Sequence, residues 1–287
     1  MFTGIIEGIG RVVDLEAREY SAVLTLDAGD IVADLEQGGS LAVNCVCLTS
    51  IVAEAEGDVA GGAAGGLPAS GRFVAEVMGE TLRLTGIGAL TSGDEVNLER
   101  CTPATGRFDG HVVQGHVDGL GSIIARIDHP EWTTLRIGIP ADLAPFTAVK
   151  GSIALNGVSL TVTAVSDPPG VAGQPASEPS SPATAPADTG SPAGRSTTAA
   201  SSADSAASGP ADEAWVEVGL IPATLTHTTF GGSGLGDPVN VEVDVIAKYT
   251  ARLIAFAPPA VAATTAPSPT PPTATPSTTD NRGVDHE

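Results

Sequence analysis

One stretch of this chain occurs twice, and the duplication limits the folds open to it more than any other feature. Lys150-Gly-Ser-Ile-Ala-Leu-Asn-Gly-Val-Ser-Leu-Thr-Val162 restates Gly38-Gly-Ser-Leu-Ala-Val-Asn-Cys-Val-Cys-Leu-Thr-Ser50, with Ser40 on Ser152, Asn44 on Asn156, Cys47 on Ser159, Leu48 on Leu160 and Thr49 on Thr161. The repeat extends both ways. Gly4-Ile-Ile-Glu-Gly8-Ile-Gly10 lies over Gly115-His-Val-Asp-Gly119-Leu-Gly121, and Glu80-Thr-Leu82 over Ala223-Thr-Leu225. Gly93-Asp-Glu-Val-Asn-Leu-Glu99 returns as Gly236-Asp-Pro-Val-Asn-Val-Glu242. Blocks kept in one order with one internal spacing imply two homologous domains. A length of 287 residues suits that and leaves each half enough chain for its own core.

Within each copy the pattern is that of short strands. Met1 to Val13 reads as a strand or hairpin edge, with glycines at 4, 8 and 10 allowing a turn or a close approach to a ligand. Alternation continues through Ala22 to Leu26, Leu41 to Asn44, Val46 to Val52 and Arg72 to Met78; in the second copy strands resume at Val112 and again over Thr133 to Ile139. Ala141 to Phe146 reads as a short helical turn. Short strands with glycine-rich turns and little helical period imply an all-β chain of small barrels. The first barrel spans residues 1–100, with an insertion at about 55–71, and 101–110 connect it to a second barrel over 111–244. That barrel carries a Pro-, Ala-, Ser- and Thr-rich insertion at about 167–212, at the same hairpin connection. The first insertion has almost nothing to bury and reads as a loop extension. The second lacks the apolar content to offset the entropy of ordering and is expected to be disordered, and both are expected at a tip in solvent. Over 245–256 Ile246, Tyr249 and Leu253 share one face of an amphipathic helix, and the Pro- and Thr-rich tail at 257–287 is expected to be disordered.

Charge and cysteine usage narrow the class of function. With 34 acidic against 13 basic residues, the chain lacks the clustered Lys and Arg that a nucleic-acid surface needs; solubility accounts for the excess. Cys45, Cys47 and Cys101 make neither an even disulfide framework nor a zinc quartet, which points to a reducing, cytoplasmic setting. Glu7 stands where a secretory n-region would be basic, and Pro258 and Pro259 cut the apolar stretch near Leu253 short of a membrane span.

No phosphate loop, His-Glu-x-x-His, Gly-x-Ser-x-Gly or dinucleotide fingerprint is present. What remains is a set of small polar groups at matched positions: Thr49 with Thr161, Thr81 with Thr224, and Cys47 opposite Ser159. Hydroxyls on barrel strands usually satisfy only their neighbours, and a lone thiol is usually apolar filler. His111 and His116 flank Val-Val-Gln-Gly at a spacing that puts them on opposite faces of a strand, so a shared metal is not expected.

Longer motifs carry a resemblance. Met1-Phe-Thr-Gly-Ile-Ile-Glu-Gly-Ile-Gly10, Val46-Cys-Leu-Thr49, Met78-Gly-Glu-Thr-Leu82, Gly110-His-Val-Val-Gln-Gly-His-Val-Asp-Gly119, Asn156-Gly-Val-Ser-Leu-Thr-Val162, Leu220-Ile-Pro-Ala-Thr-Leu225 and Val239-Asn-Val-Glu-Val-Asp-Val-Ile-Ala-Lys-Tyr249 together resemble riboflavin synthase of the alpha-chain type, with its two lumazine-binding repeats. Outside the two insertions the likeness covers about residues 1 to 255. It implies two tandem six-stranded Greek-key barrels of flavin-reductase-like form, a C-terminal trimerisation helix and a homotrimer. The implied reaction is a dismutation: two 6,7-dimethyl-8-ribityllumazine molecules exchange a four-carbon unit to give riboflavin and 5-amino-6-ribitylaminouracil. It needs no metal or redox cofactor. Association with lumazine synthase belongs to the same expectation. The alternative is a non-catalytic lumazine- or flavin-binding protein of the same fold, in which one repeat tends to lose its motif; here both stand.

Carried over position by position, the resemblance implies one lumazine site using Gly4, Ile5 and Ile6 with Gly115, His116 and Val117 of the facing barrel. Cys47, Leu48 and Thr49 would serve one barrel, and Ser159, Leu160 and Thr161 the other, with Lys150 ahead of the second motif. Glu76, Val77, Met78, Gly79, Glu80 and Thr81, and their counterparts Gly219, Leu220, Ile221, Pro222, Ala223 and Thr224, would complete the two pockets. Each active site would join the N-terminal barrel of one subunit to the C-terminal barrel of its neighbour. Cys47, Ser159, Thr161 and His111 are the candidates for polar catalytic steps. The chain departs from the family at Cys45, where glycine usually follows the asparagine, and at Ser50, Glu76, Gly219 and Ala223.

Overall fold

The computed structural model describes residues 1–51, 71–166 and 214–257. The two insertions, apart from Gly71, and the tail beyond Ala257 lie outside the described residues. The first half forms β1 (Gly8–Ala17), β2 (Ser21–Asp27), β3 (Ser40–Val43), β4 (Val46–Thr49), β5 (Arg72–Met78) and β6 (Glu95–Arg100). The second forms β7 (Gly119–Asp128), β8 (Thr133–Ile139), β9 (Ser152–Leu155), β10 (Val158–Val165), β11 (Ala214–Leu220) and β12 (Pro238–Val243).

All ladders are antiparallel. The first sheet runs β4-β3-β6-β1-β2-β5, and the second closes as β10-β11-β8-β7-β12-β9, the same order taken round the ring. In the first barrel the gap between β4 and β5 is spanned by the Ser50–Ala75 bridge and by Ile51 N–H donating to the Val74 carbonyl at 2.9 Å. Even the irregularities repeat. A bulge at Val12/Asp14 of β1 recurs at Ile123/Ala125 of β7, bending each long strand at the same place.

Period-2 alternation explains which side chains enter each core. Val46 and Leu48 of β4 point inward with Leu41, Leu98 and Phe73, and Val158, Leu160 and Val162 of β10 join Ile153, Leu135 and Phe230. Each such side chain contributes roughly 1.5–3 kcal/mol on burial, so a one-residue register slip would expose a whole row. Cys47, Thr49, Ser159 and Thr161 are left on the outer faces.

The described residues also form three α-helices: α1 (Gly79–Leu84), α2 (Pro222–His227) and α3 (Val245–Ala255). The expected helix over 245–256 corresponds to α3, and Ala141–Phe146 forms the expected short turn as a 3-10 helix. α1 and α2 follow directly on β5 and β11, where the sequence reading assigned no element. The leading segments also differ from expectation. Regular strand begins only at Gly8 and Gly119, and before those points the backbone makes a single bridge, Phe2 to Val113.

Candidate functional site

The two barrels are joined by crossed hydrogen bonds that follow the sequence repeat. In the first barrel Asn97 N–H donates to Asn44 Oδ1 at 2.8 Å, while Asn97 Nδ2 reaches across to the Asn156 carbonyl at 2.9 Å. Asn240 does the same in mirror, donating from N to Asn156 Oδ1 at 2.8 Å and from Nδ2 to the Asn44 carbonyl at 2.7 Å. Their remaining oxygens accept from Thr229 and Gly86 of the opposite barrel. All four asparagines thus have partners, so the interface buries amides without stranding a polar group.

At this junction each barrel lends its leading segment to the other. Ser159 N–H donates to the Gly4 carbonyl at 2.7 Å, and Cys47 N–H donates to the Gly115 carbonyl at 2.9 Å. Both glycines sit at left-handed φ, 76° and 77°. A Cβ on Gly4 would stand 2.6 Å from Ser159 Cβ, and one on Gly115 would stand 2.6 Å from Cys47 Cβ. Only glycine permits this approach. Ile6 then packs on the second core and Val117 on the first.

The candidate residues fall into two matched clusters, one on each barrel, here called the first and second half-sites. The first gathers Gly115, His116 and Val117 on Cys47 and Thr49, beside Glu76, Met78 and the start of α1. The second gathers Gly4, Ile5 and Ile6 on Ser159 and Thr161, beside Gly219, Ile221 and the start of α2. Within one chain the two glycine segments lie apart, each docked on the other barrel's strand. The side chains of Leu48, Val77, Leu160 and Leu220 lie in the cores, so these residues can present only backbone to a ligand. Gly79, Glu80 and Thr81 open α1, and Pro222, Ala223 and Thr224 open α2. Lys150 holds the turn before β9 at φ 68°, its N–H donating to the Val162 carbonyl at 2.8 Å, where the first repeat has Gly38.

The polar chemistry differs between the half-sites. In the second, His111 Nδ1 lies 2.7 Å from Ser159 Oγ, and burial pushes the imidazole below its ordinary value, so it is neutral at pH 7. In the first, burial pushes the Cys47 thiol up, which keeps it protonated rather than a thiolate. Glu76 pairs with Arg18 at 3.2 Å on the surface, and Glu80 pairs with Arg83. Both half-sites are shallow and lie on outer faces; Met78 is 72% exposed and Ile221 60% exposed. An open cleft of about 390 Å³ lies elsewhere, between α3 and the turn containing Phe146.

Two residues escaped the sequence reading. Glu99 accepts from Thr3 N at 2.6 Å, from Thr3 Oγ1 at 2.8 Å and from Gly4 N at 3.0 Å. Glu242 accepts from Gln114 N and His116 N, both at 2.7 Å. The signal was present, since both close the duplicated Val-Asn-Leu-Glu and Val-Asn-Val-Glu blocks, yet a glutamate at a strand end reads as solvent-facing.

Comparison with known proteins follows the same division. The lumazine binding domain family matches residues 3–101 and 114–177. A riboflavin synthase of Mycobacterium tuberculosis is 37% identical over 254 residues, 88% of this chain and 98% of that protein. That of Actinobacillus pleuropneumoniae is 31% identical over 88% of this chain and 90% of its own length. That of Bacillus subtilis is 30% identical over the same shares. Among solved structures, LumP complexed with riboflavin superimposes with a TM-score of 0.58 at 19% identity, over 85% of this chain and 99% of that one. LumP complexed with 6,7-dimethyl-8-(1'-D-ribityl) lumazine gives 0.57 at 18% identity over the same shares. With the lumazine binding domain matched in both repeats and relatives of this closeness along most of its length, the chain belongs to the riboflavin synthase family.

Proposed function

We propose that this protein is a riboflavin synthase, taking two molecules of 6,7-dimethyl-8-ribityllumazine and moving a four-carbon unit from one to the other. The acceptor becomes riboflavin and the donor leaves as 5-amino-6-ribitylaminouracil, so atoms balance with no external oxidant. The carrying observation is that each barrel has its own docked glycine segment, its Cys-Leu-Thr or Ser-Leu-Thr strand and its short helix. A carrier needs one such site; a dismutation of two like molecules needs two.

The half-sites lie on outer faces and cannot enclose a ligand alone. Pairing the first half-site of one subunit with the second of its neighbour would place two lumazine rings face to face in a dry space. A trimer assembled through α3 would supply that pairing. The 7-methyl group is acidic because its carbanion delocalises into the ring, so the protein's part is to orient the two rings and move protons. Neutral His111 accepts a proton through Ser159, while the protonated Cys47 thiol and the Thr161 hydroxyl remain as donors. Incubating purified protein with the lumazine should release one riboflavin per two lumazines consumed, read by absorbance and by the pyrimidine product. Tight lumazine binding without riboflavin would overturn this in favour of a non-catalytic flavin or lumazine carrier.

A further inference from the structure

We infer that the Cys45 thiol and the Glu242 carboxylate form a positioning device for the first half-site, built from opposite barrels. Cys45 Sγ donates to Glu242 Oε2 at 3.5 Å, and the same carboxylate receives Gln114 N and His116 N. Those two amides bracket Gly115, whose carbonyl takes the Cys47 N–H. Glu242 therefore sets how the Gly115–His116 backbone lies against Cys47.

The other repeat shows what the thiol replaces. Glu99 also receives two backbone amides, and its side-chain donor is the Thr3 hydroxyl from its own segment. At the matching position the second repeat has Gln114, which contributes only its backbone N–H, and the missing donor arrives as Cys45. Cys45 holds φ 76°, a left-handed conformation that its counterpart Gly157 adopts freely at 83°. It is 1% exposed, as is Glu242. A side chain kept at a strained glycine position and aimed at a buried carboxylate is a placed group. Burial and the neighbouring Glu242 charge raise the thiol well above its usual range, so it stays a donor.

The inference rests on the riboflavin synthase reading, and the test separates the two. Occupancy of the first half-site alone is read by protection of Cys47 from iodoacetamide as lumazine is added, with peptide mass spectrometry distinguishing Cys47 from Cys101. Cys45→Ala keeps the strained backbone and most of the bulk but removes the donor; the lumazine concentration for half-protection should rise about fivefold, as for loss of a weak donor to a carboxylate. Cys45→Ser should restore protection to within about twofold, the same hydrogen bond being remade by a hydroxyl. Glu242→Gln should impair protection further, whereas Glu99→Gln should leave Cys47 protection unchanged while turnover falls. If Glu242→Gln fails to fold, the Cys45 pair carries the test. Wild-type protection in Cys45→Ala, or an equal loss in Cys45→Ser and Cys45→Ala, overturns the positioning role. Wild-type protein that protects Cys47 but forms no riboflavin overturns the enzymatic reading and leaves the positioning role standing.

Discussion

His111 Nδ1 lies 2.7 Å from Ser159 Oγ, joining a barrel strand to the segment that follows the connector, and the proposed proton transfer rests on this pair. Ser159→Ala should lower kcat by about 10- to 100-fold while lumazine affinity changes much less, the pattern of an interaction made mainly in the transition state. Because the folded pKa of His111 lies below the ordinary 6.5, the unfolded chain binds the proton more readily. The neutral ring's contribution to stability is therefore full above 6.5 and lost as pH falls through the lowered value. Turnover should decline over the same acidic window, and steady-state rates against pH for wild type and Ser159→Ala check both statements. A wild-type acid limb that persists unchanged in Ser159→Ala would remove the pair from the proton path. Much at this scale was legible. Alternation in Val46-Cys-Leu-Thr49 already puts Cys47 and Thr49 on one face and Leu48 on the other. The His111–Ser159 contact was not legible, because it depends on how the segment after the connector folds back.

Among the elements, α3 stands out because its apolar residues have nothing to cover them within the described chain. Ile246, Tyr249, Leu253 and Ile254 are all exposed. Its start is well anchored: the Asp244 side chain caps it by accepting from Ile246 N at 2.9 Å, and Lys248 Nζ bonds Asp118 at 2.8 Å. Eleven residues of helix are marginal in water on their own, so packing from another copy would supply what propensity does not. Ending the chain after Asp244 should yield monomers without riboflavin-forming activity, by light scattering and absorbance. A truncated protein that still ran as a trimer would move the assembly surface elsewhere. Sequence exposed this helix because its apolar spacing spans three turns. α1 and α2, at six residues each, are too short to develop a period, and the β-strands that feed them mask their start.

At the scale of the whole molecule the duplication revealed two homologous domains and the strand alternation made them small barrels, but neither told how the two meet. The crossed amides of Asn97 and Asn240 repeat in sequence as Val-Asn pairs, and nothing in a strand pattern tells an asparagine that closes its own hairpin from one that reaches a neighbour. The loan of Phe2 to Gly4 to the second barrel has a consequence for how the protein is made. When the first barrel's strands have all been synthesised, at Arg100, the segment that should end beside Ser159 still lacks its partner strand, and Gly115 is not yet available to Cys47. Neither half can complete its hydrogen bonds alone, and contacts separated by so much chain form late and slowly. The two repeats, though separate in ancestry, should then melt as one cooperative unit, with a single calorimetric peak whose van't Hoff and measured enthalpies agree. Two resolved peaks would mean that each barrel keeps its fold without the borrowed segment.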